Sequence, residues 1–345
     1  MNIQNIISMP HDTPPAPGEV IEVAPGILWA RMPLPMALDH VNIYALADGD
    51  GWVLVDTGMN SRKSRAILAD LMAGPLGGKP IHRVLVTHHH PDHIGMAGWL
   101  QAEHGTQIWT SRTAWLMARM LVLDEQATWP AETIEFYRRA GMHPEILAAR
   151  LAERPFNFAD SVAPMALGFH RVDQDDVLQI GARRFQVHLG NGHAPHHITL
   201  WSLDDDVVIA GDQILPGISP NLGVYPTEPD ADPVGEWLES CSRLLALARP
   251  SHFVLPGHKL PFTGLAPRLT QLIDNHHGAL NRLRSHLREP STAAGCFDTF
   301  YGRSIGAGEY GLALVEALGH LNHLHRQGEV ERRLGADGAW HWSTV

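Results

Sequence analysis

Four metal-binding side chains fall within six positions of this chain: His88, His90, Asp92 and His93, in the run Val86-Thr87-His88-His89-His90-Pro91-Asp92-His93-Ile94-Gly95. Three imidazoles and a carboxylate this close offer nitrogen and oxygen lone pairs to a shared cation, and H-x-H-x-D-H is specific as short motifs go. The apolar run Val84-Leu85-Val86 reads as a buried strand. The ligands therefore sit on the loop at its end, where α/β folds place their chemistry.

One loop cannot complete a two-metal site. Three further apolar strands each run into a glycine and then a ligand type: 185–189 before Gly192-His193, 207–210 before Gly211-Asp212, and 253–255 before Pro256-Gly257-His258. The set is five imidazoles (His88, His90, His93, His193, His258) and two carboxylates (Asp92, Asp212). Nitrogen and oxygen ligands without thiolate suit Zn2+, with Fe2+ or Mn2+ as alternatives. Two cations about 3.5–4 Å apart need an anionic bridge, which Asp212 can supply beside a hydroxide; metal binding brings the pKa of water from about 15.7 toward about 7. Asp92 can orient that hydroxide and carry its proton. Tyr225, shortly after Asp212, is either a donor to a substrate oxyanion or a packed loop tyrosine. His89, His196, His197, His276 and His277 read as surface or core histidines. No Gly-x-Ser-x-Gly elbow is present, so a serine nucleophile is not required.

The elements that must position these residues follow from pattern. Strands are predicted at 19–24, 27–32, 41–47, 52–56, 83–86 and 107–110. A helix is predicted at 61–72, with Ser61 as N-cap and Gly74-Pro75 as stop, and another at 96–104. Residues 113–161 change to a helical, Met- and Trp-containing insertion (Trp115, Met117, Met120, Trp129, Met142), packed on the core or walling a substrate pocket. Strands return at 176–180, 184–189, 199–202, 207–210 and 252–255, with a helix at 232–248 between the last two. From 266 the pattern is three helices (267–287, 297–301, 309–327) and a hairpin (329–334 and 339–343), which reads as a small winged-helix unit.

A length of 345 residues allows two domains, and 44% apolar residues are ample for a core. The net charge of −11 opposes non-specific attraction to nucleic acid. No apolar run reaches the roughly 18 residues a membrane span needs. Residues 1–20 lack a basic start and an apolar segment, so no secretory leader is expected. Cys241 and Cys296 are far apart and read as buried thiols of a reduced, cytoplasmic protein.

On these residues the chain resembles the metallo-β-lactamase-fold superfamily of hydrolases over about residues 20–260. The resemblance rests on Val55-Asp56-Thr57-Gly58, the His88–His93 run, Gly192-His193, Gly211-Asp212 and Pro256-Gly257-His258. It implies an α+β fold: a four-layer αββα sandwich at 18–265 with a helical insertion at about 113–161, and a winged-helix-like domain at 266–345. It further implies two divalent metal ions. His88, His90 and His193 would hold one, Asp92, His93 and His258 the other, with Asp212 bridging and Asp56 hydrogen-bonding to the ligand loops. The tail, and the stretch from Gly211 to Asn221, are similar to a branch that includes glyoxalase-II-like proteins and a ribonuclease; such tails also imply a homodimer. Relatives often carry Gly-His-Ser-Pro-Gly-His where this chain has Gly192-His193-Ala194-Pro195-His196-His197, so His196 would narrow or polarise the mouth of the site.

The expected activity is hydrolysis of a small-molecule acyl substrate, an ester, thioester or lactone, with no membrane partner. Two alternatives stand. One is an RNA-cleaving metallonuclease, using Arg282, Arg284, Arg288, Arg326, Arg332 and Arg333 as a local basic patch. The other is a mononuclear-iron, persulfide-type dioxygenase. A secreted β-lactamase is disfavoured by the missing leader and by the bridging Asp212.

Overall fold

The computed structural model describes residues 7–345; the first six, part of the 1–20 stretch read for a leader, lie outside the described residues. A seven-stranded sheet runs in sequence order: β1 (Ile21–Ala24), β2 (Ile27–Pro33), β3 (His40–Asp48), β4 (Gly51–Val55), β5 (Ile81–Leu85), β6 (Gln107–Thr110) and β7 (His170–Arg171). Pairing is antiparallel from β1 to β4 and parallel from β4 to β7. The second sheet has β8 (Val177–Ile180), β9 (Arg183–Gly190), β10 (His197–Ser202), β11 (Val207–Gly211), β12 (Phe253–Pro256) and β13 (Phe262–Thr263), also neighbours in sequence order. Only β11 and β12 pair in parallel there. The two-residue strands β7 and β13 are too short to leave a sequence pattern.

Strand β3 shows why the sheets stack. Successive strand side chains alternate in direction. Val41, Ile43 and Ala45 face one way, into a core shared with Ile67, Leu68 and Leu71 of α1 (Arg62–Ala73). Tyr44 and Leu46 face the other way, into a core with Phe185, Val187 and Leu189 of β9 and Ile198, Leu200, Ile209 and Leu255 of the neighbouring strands. Both faces of β3 are covered, so it reads as one apolar run instead of an alternating one. The facing sheets with helices on them form the α+β sandwich the sequence predicts.

The helix α1 starts where capping chemistry requires. Ser61 is extended, and its hydroxyl accepts from the Ser64 N–H at 3.0 Å. A single turn, α2 (Pro91–Ile94), carries Asp92 and His93, and α3 (Ala97–His104) follows. The insertion supplies α4 (Arg112–Leu123), α5 (Ala131–Arg139) and α6 (Pro144–Leu151). In α4, Trp115 and Ala118 join the core beneath the first sheet, while Leu116, Met120 and Leu123 stay exposed.

The chain groups into two compact units. The first holds the residues through Glu125, Asn157–Pro220 and Leu244–Leu269; the second holds Gln126–Phe156, Asn221–Arg243 and Thr270–Val345. Both sheets described above lie in the first unit. The second takes α5 and α6, most of α7 (Pro233–Leu245) and α8 (Leu265–His286), and all of α9 (Phe297–Tyr301) and α10 (Tyr310–Arg326). It ends in the antiparallel hairpin of β14 (Val330–Leu334) and β15 (Trp340–Thr344). Helix α10 buries Leu314, Leu318, Leu321 and Leu324, the predicted apolar stripe. Cys241 and Cys296 are both free and buried.

One carboxyl in the second unit titrates with folding. Tyr301 Oη lies 3.0 Å from both Glu316 Oε2 and the Ala313 carbonyl. The Tyr301 hydroxyl is the donor, and its one proton is shared between these two acceptors. Burial pushes the Glu316 carboxyl up to about 7, against the Tyr301 hydrogen bond, which pulls the other way. The folded chain thus keeps a proton that the unfolded chain releases near 4.5. This contribution to stability is complete below about 4.5 and is lost as pH rises through about 7. Urea midpoints should therefore fall across that window. Glu316→Gln should remove this part of the fall, which is at most about 3 kcal/mol.

Candidate metal centre

Strands β4, β5, β9, β11 and β12 each end in a turn that carries a candidate residue, and those turns converge. His88 Nε2 is 3.0 Å from His90 Nδ1, which is 3.1 Å from His193 Nε2. Asp92 Oδ2 is 3.3 Å from His258 Nε2 and 3.5 Å from His93 Nε2. Asp212 Oδ2 lies between these triads, 3.1 Å from His258 Nε2, 3.4 Å from His93 Nε2 and 3.5 Å from His193 Nε2. The structure thus brings together all seven residues that the sequence singled out as ligands. Tyr225 belongs to the second compact unit, where its phenol is influenced by Tyr137 and Glu316.

A cation about 2.1 Å from two ligands that subtend 90–109° sets those ligand atoms about 3.0–3.4 Å apart. The observed spacings match that shell. His93 Nε2 and Asp212 Oδ1 are buried without a hydrogen-bond partner, as atoms reserved for a cation would be. The residues present therefore fit a metal ion.

The lone pairs are aimed from behind. Asp56 Oδ2 accepts from His93 Nδ1 at 2.8 Å and from the Thr87 hydroxyl at 2.9 Å. Thr87 has then used its one proton, so its oxygen accepts from His88 Nδ1 at 3.0 Å. Both rings consequently turn a bare Nε2 to the site. One carboxylate fixes the tautomer of a histidine in each triad. Asp56 does so with φ +59, a left-handed conformation held by its own N–H on Leu85 O and by the Thr87 N–H on Oδ1. His258 Nδ1 donates to the His40 carbonyl at 2.7 Å, which leaves its Nε2 for the site.

The electrostatics calls for positive charge among these groups. Burial, then the neighbouring imidazoles, holds His88 and His90 well below the usual histidine value, so both offer lone pairs. Burial would also lower His93 and His258, but Asp212 and Asp92 outweigh it. His93 stands well above its ordinary value and His258 is pushed up to about 10. Burial would raise Asp212, yet His258 and His93 keep it well below the carboxylate range.

A model of the family described as "Metallo-beta-lactamase superfamily" matches residues 36–258, which include all seven ligand candidates. The chain belongs to the metallo-beta-lactamase superfamily. A second model, "Metallo-beta-lactamase-like, C-terminal domain", matches residues 280–345. The crystal structure of a beta-lactamase domain protein from Burkholderia ambifaria is 35% identical, covers 98% of both chains and superposes with a TM-score of 0.91. A metallo-beta-lactamase family protein from Thermus thermophilus shares the fold at 24% identity and a TM-score of 0.79, covering 94% of this chain and 100% of its own. A Bacillus subtilis protein named "Probable metallo-hydrolase YqjP" is 24% identical over 311 residues, 87% of this chain and 92% of its own length.

Within this metallo-beta-lactamase domain, Asp56 hydrogen-bonds to the ligand loops as the resemblance implies, while pattern alone gives His197 only as a surface or core histidine. His197 stacks on His88 with ring centroids 4.6 Å apart and accepts the Asp212 N–H at 3.1 Å. Its motif neighbours marked it, but its role needs β10 beside β11. His196 keeps the backbone that its position demands, φ +52, which glycine adopts without cost. Its N–H donates to Asn191 Oδ1, and its ring hydrogen-bonds to Thr113 Oγ1 at 2.9 Å. His89 lies against Phe158, and burial lowers it to about 3.

Gly257 is the tightest point of the site. A Cβ there would overlap Asp212 Oδ1 and meet His93 Cε1 at 2.9 Å. Gly257→Ala should therefore strip metal content while far-ultraviolet circular dichroism stays native; Gly217→Ala, with open space around it, should do neither. Asp56→Ala should weaken metal binding about 10–100-fold at both triads, read by competition with a chelator.

Proposed function

We propose that the chain is a two-metal hydrolase of a small ester, thioester or lactone. The observation that carries this reading is the position of Asp212 Oδ2, within 3.5 Å of candidate ligand nitrogens in both triads, so that this carboxylate would help hold a cation at either. The name of the Bacillus subtilis relative, a metallo-hydrolase, supports the reaction class. Zn2+ is the proposed metal, with Fe2+ and Mn2+ as alternatives for the same donor set.

When bound, the cations supply Lewis acidity toward a carbonyl and bring the pKa of water near neutrality. The chain's own residues do the rest. Asp92 is the least buried carboxylate of the site and contacts His93 and His258 through one oxygen, Oδ2. In our reading its other oxygen orients the attacking water and takes its proton. Asp212 holds its place through the His197 contact.

Charge favours a small acyl substrate over RNA. Arg284, Arg332 and Arg333 are engaged by Glu329, Asp230 and Glu331, and Arg282 donates to the Thr299 and Phe300 carbonyls. Three of the six arginines that a nuclease would use are thus paired with carboxylates. The buried free thiols Cys241 and Cys296 suit a reducing compartment, which is the proposed location. No helix among the described residues is long and apolar enough to cross a membrane.

A panel of thioesters, lactones, aryl esters and RNA, assayed on metal-quantified protein, tests the reading. Turnover of an acyl substrate is expected, with two metal ions per chain, and His88→Ala or Asp212→Ala should abolish it. RNA cleavage that falls steeply with salt, or one iron per chain with sulfur oxidation, would replace it.

A further inference from the structure

We propose that Asn42, with His40 and Tyr44 beside it on β3, is the positioning residue that sets where His258 meets the metal. The inference rests on reading Asp92, His93 and His258 as one half of a two-metal centre.

Topology brings these residues to the site. β3 is antiparallel to β4, and its register pairs Tyr44 with Val55, the last residue of β4. His40 and Asn42 therefore extend past the end of β4, at the sheet edge where Asp56 and the ligand loops emerge. Residues 40, 42 and 44 share the face that looks toward the second sheet, because Tyr44 lies in the core between the sheets.

Asn42 spends its whole hydrogen-bonding capacity there. Its Oδ1 accepts from Trp29 Nε1 at 2.9 Å and from Arg31 Nε at 3.1 Å. Two N–H donors on that side fix the amide so that Nδ2 faces the ligand loop. Nδ2 then donates to the Pro256 and Lys259 carbonyls, both at 2.9 Å. The Asn42 backbone N–H donates to the Gly257 carbonyl at 2.6 Å. One residue thus grips the loop before, at and after the turn that carries His258. Tyr44 adds a second donor to Pro256 O, and Arg31 adds one to Lys259 O, so both carbonyls are doubly satisfied.

His40 works on the ring and on the backbone beside it. Its carbonyl holds His258 Nδ1, and its Nε2 accepts the Lys259 N–H at 2.9 Å. That acceptor role leaves the His40 proton on Nδ1, directed to Asp39 Oδ1. Lys259 sits at φ +70, a left-handed conformation that turns its carbonyl to Asn42. Asn42 is 1% exposed, and an amide buried between Val41 and Ile43 needs such partners.

The test is a double-mutant cycle read by Co2+ titration of the chelator-stripped full chain, following visible absorption and cobalt per chain. His90→Ala breaks the first triad and leaves the His258 triad to report. In that background Asn42→Asp, which keeps the shape but removes both loop donors, should weaken Co2+ binding about tenfold or more. In a His258→Ala background the same change should shift affinity less than about twofold, because the ligand it positions is gone. Equal weakening in both backgrounds, or none in either, overturns the proposal. If Asn42→Asp fails to fold, Tyr44→Phe removes a single donor to Pro256; a smaller effect with the same dependence on His258 supports the proposal, and its absence overturns it. A wild-type chain that takes up one Co2+ defeats the two-metal reading, while dependence on His258 measured on that ion still decides the role of Asn42.

Discussion

An imidazole aims a lone pair at a cation only if its other nitrogen holds a proton on something behind it. The centre depends on that constraint. Asp56 meets it for one histidine in each triad, directly for His93 and through the Thr87 hydroxyl for His88. The His40 carbonyl meets it for His258. Without these partners the rings could rotate or change tautomer, and seven ligands would be a cluster of polar groups buried at a cost. The left-handed backbone of Asp56 is kept because the hydrogen bonds around it over-determine the conformation.

The sandwich is what allows such a site. Each loop contributes one to four ligands, and the loops emerge from strand ends of two separate sheets. Packing the inner faces of β3 and β9–β12 against each other aligns those ends. Hydrogen bonds from Asn42 and Tyr44 to Pro256 then cross from one sheet to the other at the site itself. The loop that carries His258 is therefore tied to the packing of sheet on sheet. The small residue Gly257 lets the last loop come close enough to touch Asp212.

The second compact unit has a different physical character. Several of its arginines are drawn into ion pairs and helix-end carbonyls, and its buried polar groups include the His323–Asp232 pair and the stacked His276 and His320.

The candidate ligand set was legible because each member is a metal-binding residue type just past the end of an apolar strand, close to a glycine or clustered in one short run. Strand ends and glycines leave local patterns that survive without tertiary information. Helix α1 with its Ser61 cap, the stripe of α10 and the terminal hairpin were legible for the same reason: capping, periodicity and turn chemistry are local. The strands β7 and β13 were not, since two residues carry no period. The grouping of α5 and α6 with the C-terminal segments also lay beyond sequence, as it depends on contacts between stretches far apart in the chain.

The sequence alone thus determined which side chains could ligate a metal and roughly which elements carry them. Only the tertiary structure decided which nitrogen of each ring faces the cluster of candidate ligands, that His197 holds Asp212, and that Asn42 grips the His258 loop. A ring's tautomer and a loop's position are set by hydrogen bonds between separate segments, from Asp56 and His93, 37 positions apart, to Asn42 and Lys259, 217 apart, and no local pattern records them.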